Sequence, residues 1–276
     1  MKGIICKTLG GFFFTGNENQ NIYRTKIRGK IREKVYPGDY VEFENDIIEK
    51  LYSRNSLLHR PAIANVDQVL IVLSVEAPCF DRKLLDRFLI MVEEAAMNPL
   101  IVINKIDLDN NSIEMEFEDY KKAGYQVFFL SVKEKIGFDS LIDSLHEHVN
   151  VLTGPSGVGK SSLINEIVKD ANMEVAEVSK KLKRGVHTTR HVELLAVPEG
   201  GWLADSPGFT SLDIKHILAD ELRFFYPEFI DYMANCKFRA CSHTHEPKCA
   251  VKDAVESGEI SKRRYQSYLH FYKELK

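Results

Sequence analysis

Residues 154–161, GPSGVGKS, constrain the fold of this chain more than any other stretch. They fit the pattern G-x-x-x-x-G-K-[ST] and lie between the apolar run VNVL and the helical pattern SSLINEIV. Glycines in such a loop let backbone N–H groups surround a phosphate, and the following helix points its positive end at the same group. We therefore predict a strand–loop–helix unit of an α/β domain that binds nucleotide phosphates, and we name this segment the phosphate loop.

The polar side chains of the phosphate loop have separate expected tasks. Lys160 is expected to bridge the terminal phosphates, and the Ser161 hydroxyl to bind Mg²⁺. The residues expected to contact the nucleotide here are Gly154, Pro155, Ser156, Gly157, Val158, Gly159, Lys160, Ser161 and Ser162.

A second motif, NKID, indicates which base is bound; it consists of Asn104, Lys105, Ile106 and Asp107, and we name it the guanine loop. The Asp107 carboxylate is able to accept hydrogen bonds from guanine N1–H and the 2-amino group. Adenine offers neither donor and would leave the carboxylate unpaired. Ser131, at the end of the apolar run FFL, is placed to support the guanine. The motif favours GTP over ATP and argues against an ATPase or a kinase.

Two later segments complete the expected site. WLADSPGF contains Asp205-x-x-Gly208, an arrangement in which the Asp holds the Mg²⁺ shell and the Gly N–H meets the γ-phosphate. The preceding segment RGVHTTRH offers Thr188 or Thr189 as the second hydroxyl ligand to Mg²⁺. Together with the two loops, these residues predict a complete GTP-hydrolysing site with bound Mg²⁺.

Phe209 stands where many GTPases place a Gln that orients the attacking water. A phenyl ring cannot orient water by hydrogen bonding. Either hydrolysis is slow until a partner completes the site, or another group substitutes for the Gln. His187 is the nearest candidate catalytic residue, and a contact between His187 and RNA phosphate is the competing interpretation.

The order of the motifs is reversed relative to ordinary GTPases, because the guanine loop precedes the phosphate loop. A pocket built from loops at one edge of a sheet survives relocation of the chain ends, so this order indicates a circular permutation. From Val66 onward, strand and helix patterns alternate, which predicts a mostly parallel sheet with helices on both faces. Residues 1–62 hold short β-type runs separated by turn signals, which predicts a small barrel or sandwich. The chain is thus a multidomain α/β protein.

A Cys/His cluster follows the nucleotide motifs. Cys236-x4-Cys241-x-His243-x5-Cys249 supplies three thiolates and one imidazole, a closed tetrahedral set for structural zinc with no position left for catalysis. His245 competes with His243 for the fourth position. The five cysteines of the chain are expected to be reduced or metal-bound, because no apolar run is long enough for a membrane span or a signal peptide. We expect a cytoplasmic protein with no membrane partner.

A basic segment lies in the N-terminal part, although the formal net charge of the whole chain is −3. In YRTKIRGKIREK every second residue is basic, so a β-strand would present a one-sided stripe to RNA phosphates. A solvated barrel face explains the stripe without RNA, and Gly29 is able to bend the strand and divide it. The basic residues are Arg24, Lys26, Arg28, Lys30, Arg32 and Lys34.

The motifs NKID, GPSGVGKSS, RGVHTT, DSPGF and CKFRACSHTHEPKC resemble those of the RsgA (YjeQ/YloQ) family of circularly permuted GTPases over essentially the whole chain. The resemblance implies an N-terminal OB-fold RNA-binding domain (1–62), a permuted GTPase domain (63–211) and an α-helical zinc-binding domain (212–276), and it favours His243 over His245. It also implies a monomer that binds GTP, GDP, the 30S ribosomal subunit and its 16S rRNA, with hydrolysis stimulated by the subunit in late maturation. The alternative is a zinc-stabilised RNA-binding protein with a poorly hydrolysing, regulatory GTP site.

Overall fold

The computed structural model describes residues 1–59, 61–109, 113–168, 192–207 and 213–276. Its N-terminal part is a closed five-stranded barrel with the strand order β1-β2-β3-β5-β4. The strands are β1 Lys2–Leu9, β2 Phe12–Asn17, β3 Ile22–Ile27, β4 Tyr40–Glu44 and β5 Ile47–Leu51. Ile5, Val41, Phe43 and Ile48 fill the interior. Since β3 and β5 pair in parallel while the other neighbours are antiparallel, the barrel has the five-stranded organisation of an OB fold, not of a sandwich.

The prediction of one continuous basic strand is wrong beyond Ile27, and the alternative, a strand divided near Gly29, is closer to the structure. Arg24 and Lys26 lie exposed on β3, with Thr25 buried between them, as the alternation requires. After Ile27 the backbone turns, and the Ile31 N–H donates to the Arg28 carbonyl at 3.0 Å. The later basic side chains therefore lie on an irregular segment, so their spacing of two residues does not place them on one face.

A short hairpin, β6 Leu57–His59 with β7 Ala62–Ala64, leads from the barrel into a six-stranded sheet. The order of the sheet is β10-β9-β8-β11-β13-β12, and β12 is antiparallel to β13 while the other neighbours are parallel. Its strands are β8 Gln68–Ser74, β9 Asn98–Asn104, β10 Gln126–Phe129, β11 Val149–Thr153, β12 Leu194–Ala196 and β13 Trp202–Pro207.

Different helices cover the two faces of this sheet. They are α1 Arg82–Glu94, α2 Glu118–Lys122, α3 Asp139–Leu145 and α4 Lys160–Val168. Val69, Ile71 and Leu73 of β8 share a core with side chains of α1 and α2. Leu70 and Val72 of the same strand share a core with side chains of α3 and α4. The alternation along β8 confirms a mostly parallel sheet with helices on both faces.

The C-terminal part is helical, with α5 Pro227–Met233, α6 Ala250–Ser257 and α7 Lys262–Leu275. Its core includes Ile90 and Met91 of α1, so these helices pack directly on the central domain. In the described ranges, no helix combines the length and the apolar character needed to cross a membrane.

Candidate nucleotide site and metal centre

The phosphate loop joins β11 to α4, and its geometry requires glycine. Gly154 has φ +132°, and a Cβ there would lie 2.1 Å from the Val72 carbonyl oxygen. Gly159 has φ +99°, and a Cβ there would lie 2.4 Å from Asn104 Nδ2. Larger residues at either position would displace the loop from the strand or from the guanine loop.

Lys160 is the first residue of α4, and its side chain folds back across the phosphate loop. Its Nζ donates to the carbonyls of Gly154 at 2.8 Å and Pro155 at 2.5 Å. Burial lowers the pKa of Lys160 below its ordinary value. Ser156, Ser161 and Ser162 are exposed at the same rim. The ammonium group thus lies against the backbone of the loop, and the three serines are accessible to solvent.

Asn104, at the end of β9, connects the guanine loop to the phosphate loop. Its Nδ2 donates to the Val158 carbonyl at 2.8 Å. Its Oδ1 accepts from the backbone N–H of Lys105 at 2.7 Å and of Val132 at 3.2 Å. Two segments 54 residues apart in sequence are therefore held together by one buried amide.

Lys105 strengthens the same junction. Its backbone has φ +65°, and its Nζ donates to the carbonyls of Ala77 at 2.5 Å and Gly157 at 2.9 Å. The loop after β8 is thereby held against the phosphate loop.

Asp107 and Ser131 lie together, as predicted from their positions at strand ends. The Ser131 hydroxyl donates to Asp107 Oδ1 at 2.6 Å, and Lys133 Nζ lies 3.7 Å from Oδ2. The hydrogen bond from Ser131, with a smaller effect of Lys133, lowers the pKa of Asp107. The carboxylate is therefore ionised at neutral pH and acts only as an acceptor, which matches the N1–H and 2-amino donors of guanine. Ile106 is tied to the same strand end, because its N–H donates to the Leu130 carbonyl at 3.3 Å.

Sequence reasoning missed two neighbours of this pocket, Val132 and Lys133. The Val132 N–H points at Asn104 Oδ1, and the Lys133 ammonium faces Asp107. Their positions directly after Ser131 were the available signal, because a strand end presents consecutive backbone and side-chain groups to one pocket.

Asp205 lies exposed near the end of β13, and its N–H donates to the Glu193 carbonyl at 2.8 Å. Because β13 runs parallel to β11, Asp205 lies on the strand next to the one that enters the phosphate loop. The other expected catalytic residues lie outside the described residues; they are His187, Thr188, Thr189 and Gly208. Phe209, which stands in the position of the Gln, lies outside them as well.

The Cys/His cluster forms a compact group of donors. One donor atom each from Cys236, Cys241, His243 and Cys249 lies within 4.8 Å of all the others. His243 Nδ1 is 3.3 Å from Cys249 Sγ and 3.7 Å from Cys236 Sγ. His245 is exposed and contacts Thr244 instead, so geometry selects His243.

The chemistry of this group fits a metal ion. Burial lowers the pKa of His243 to about 4, which leaves the imidazole neutral with a free lone pair. Burial raises the pKa of Cys241 to about 12, so thiolates in this place need a cation beside them. Four ligands from the protein leave no position open for a substrate. Cys6 and Cys79 lie outside the group.

The guanine loop precedes the phosphate loop along the chain, and both follow strands of a mostly parallel sheet. This arrangement defines a circularly permuted P-loop GTPase. The chain belongs to the RsgA GTPase family. The model of the RsgA GTPase matches residues 51–215, and the model of the RsgA N-terminal domain matches residues 2–50. The chain is thus a GTP hydrolase with an N-terminal OB-type barrel, as the motifs predicted.

Known members of the family are similar to this chain over nearly its full length. The small ribosomal subunit biogenesis GTPases RsgA of Geobacillus sp. (strain WCH70) and Halalkalibacterium halodurans are 42% and 44% identical, and each alignment covers 100% of this chain and 97% of the relative. The sequence of YloQ, a circularly permuted GTPase with a crystal structure, is 38% identical to this one. The two structures superpose with a TM-score of 0.82 over 99% of this chain and 94% of that one. YjeQ from Thermotoga maritima is 34% identical with a TM-score of 0.83, covering 99% and 98%.

Proposed function

We propose that this GTPase acts on the small (30S) ribosomal subunit during late assembly and that the subunit stimulates its hydrolysis of GTP. The observation that carries the proposal is full-length similarity to proteins named small ribosomal subunit biogenesis GTPase, combined with the interlocked guanine and phosphate loops. The protein acts as a monomer in the cytoplasm, where subunits are assembled. Its division into residues 1–62, 63–211 and 212–276 gives one module each for RNA, GTP and metal.

The motifs, together with the contacts among the described pocket residues, support the following nucleotide roles. Asp107 and Ser131 select guanine, Lys160 bridges phosphates, and Ser161 binds Mg²⁺. Asp205 would hold the shell of the same Mg²⁺ ion. Thr188 or Thr189, Gly208 and His187 are assigned from sequence alone: the hydroxyl is the second Mg²⁺ ligand, the Gly N–H meets the γ-phosphate, and the imidazole orients the attacking water.

Cys236, Cys241, His243 and Cys249 hold one structural zinc ion. Three thiols and one imidazole, buried together with no open position, suit Zn²⁺ better than the hard cations Mg²⁺ and Ca²⁺.

The barrel supplies the contact to 16S rRNA. On its exposed β2–β3 face, the Arg24 guanidinium lies 3.6 Å from the centroid of the Phe12 ring, and Lys26 Nζ lies 5.2 Å from it. A ring flanked by two cations suits an RNA base with its phosphates. Arg28 pairs with Glu49 and contributes less.

The test is co-sedimentation with 30S and 50S subunits in the presence of a GTP analogue, GDP or no nucleotide, together with GTP turnover with and without subunits. We expect binding to 30S and not 50S, tighter with the GTP analogue than with GDP, and faster turnover on 30S. By linkage, the 30S subunit must then tighten GTP binding by the same factor. Lys160→Ala, the control, should bind 30S equally under all nucleotide conditions. Equal affinity for both subunits, or turnover unchanged by 30S, would contradict the proposal.

A further inference from the structure

The barrel contacts the central sheet at the hairpin formed by β12 and β13. At the turn of this hairpin, Gln20 Nε2 donates to the carbonyls of Val197 at 2.9 Å and Gly201 at 3.1 Å. A side chain of the barrel thus fixes the backbone of the turn.

The start of β13, next to the turn, is fixed by close packing. Trp202, the single tryptophan of the chain, lies against Gly16 of β2. A Cβ on Gly16 would be 2.3 Å from Trp202 Cη2, so only glycine permits this approach. The Trp202 ring therefore packs directly on the backbone of β2, with no space to move closer to the barrel.

The far end of the hairpin carries an ion pair that is connected to Asp205. Lys7 Nζ of β1 lies 2.7 Å from Glu193 Oε2, and the two residues also form a β-bridge. Their side chains are 17% and 29% exposed, so solvent screens the pair less than a pair on an open surface. The Glu193 carbonyl in turn accepts the hydrogen bond from the Asp205 N–H. Glu193 is thus held by the barrel through its side chain and holds Asp205 through its backbone.

We propose that Lys7 is a positioning residue for GTP hydrolysis: by fixing Glu193, it fixes the backbone that presents Asp205 to the Mg²⁺ shell, so the barrel controls turnover. The inference rests on the proposed role of Asp205. Of the three contacts, the Lys7–Glu193 pair is the one bonded directly to Asp205, whereas the other two hold the hairpin farther from it. A change in the barrel that breaks this pair would therefore allow Glu193 to move and, through the hydrogen bond between their backbones, Asp205 with it.

The test compares the full-length variants Lys7→Ala and Lys7→Arg with the control Lys121→Ala, which removes another lysine that pairs with one carboxylate, Glu118, at 2.9 Å. For Lys7→Ala we expect kcat to fall about two- to fivefold, the size set by one partly exposed ion pair. The Mg²⁺ concentration for half-maximal rate should rise, while KM for GTP stays unchanged because both nucleotide loops are intact. Lys7→Arg should retain kcat.

A purely structural role of the pair would lower the melting temperature without changing kcat or the Mg²⁺ requirement. That result, with Lys7→Ala equal to Lys121→Ala in both, would overturn the inference. In a double-mutant cycle with Glu193→Ala, the two losses in kcat should not add, because both variants break the same link; additive losses would also overturn it.

Asp205→Asn separates the two levels of the proposal. If Asp205→Asn keeps full turnover, the role of Asp205 fails and the positioning role of Lys7 fails with it. If Asp205→Asn loses turnover while Lys7→Ala does not, the role of Asp205 stands and only the inference about Lys7 is lost.

Discussion

Asp107 acquires its expected selectivity from its immediate neighbours. The hydrogen bond from Ser131 lowers the pKa of the Asp107 carboxyl group. This bond occupies only one of about four acceptor positions of the carboxylate. Acceptor positions therefore remain for two donors of a base. Asn104 and Lys105 contribute differently, since their side chains bond to protein carbonyls and fix where the base lies. Different residues of the guanine loop therefore select the base and fix its position.

Replacing Asp107 by Asn should change the nucleotide that is bound. The amide presents a donor where guanine presents donors, so GTP affinity should fall by at least about 100-fold. Xanthosine triphosphate, which carries an oxo group in place of the 2-amino group, should bind better than GTP. Equilibrium binding of fluorescent GTP and xanthosine triphosphate measures both effects.

Asp109→Asn is the matched control for this experiment. The Asp109 carboxylate accepts the Ile113 N–H at 2.7 Å, so its replacement should leave the preference for GTP in place. If Asp107→Asn binds GTP as tightly as Asp109→Asn does, the guanine assignment of the NKID motif is wrong.

Among the elements, the two helices beside the metal group, α5 and α6, depend on their surroundings. α5 has 7 residues and α6 has 8, and helices of that length are not stable in isolation. All four donors of the metal group lie in the irregular stretch between them, and α6 starts directly after Cys249. A bound ion would therefore fix the end of one helix relative to the start of the next.

Cys241→Ser should remove the metal and loosen the chain from Cys236 onward. Elemental analysis of the purified wild type should give one zinc per chain, and the variant much less. Hydrogen exchange should increase in α6. Cys79→Ser, which replaces an exposed cysteine outside the group, should change neither quantity. Well under one zinc per wild-type chain prepared with sufficient metal would remove the zinc proposal.

How far the sequence predicts these elements depends on how local their causes are. The phosphate loop and the metal group were predictable, because each is specified by residues close in sequence. The end of β3 at Ile27 was predictable only in part, because Gly29 indicated a bend while the alternating charges continue past the point where the backbone turns. The Lys7–Glu193 bond was not predictable, because it joins residues 186 apart with no motif in common.

At the scale of the whole molecule, the C-terminal helices and the central domain share one core. Arg264 of α7 is 3% exposed and pairs with Asp86 of α1 at 2.5 Å and with Glu228 of α5 at 2.8 Å. Tyr120, on α2, packs its ring against the same guanidinium. Because these charges are buried, each depends on its partners for solvation. The central domain and the helical domain should therefore unfold together.

Arg264→Ala should destabilise both domains, because it leaves two carboxylates buried without their cation. The expected loss is about 3–5 kcal/mol in the free energy of unfolding. Urea denaturation followed by Trp202 fluorescence measures this loss from within the central sheet, far along the chain from the mutation. Arg263→Ala is the control: its side chain is 52% exposed and pairs with Glu116 and Asp119, so its loss should cost at most about 1 kcal/mol. If both variants show the same Trp202 transition, the helical domain unfolds independently and the shared core does not couple the two.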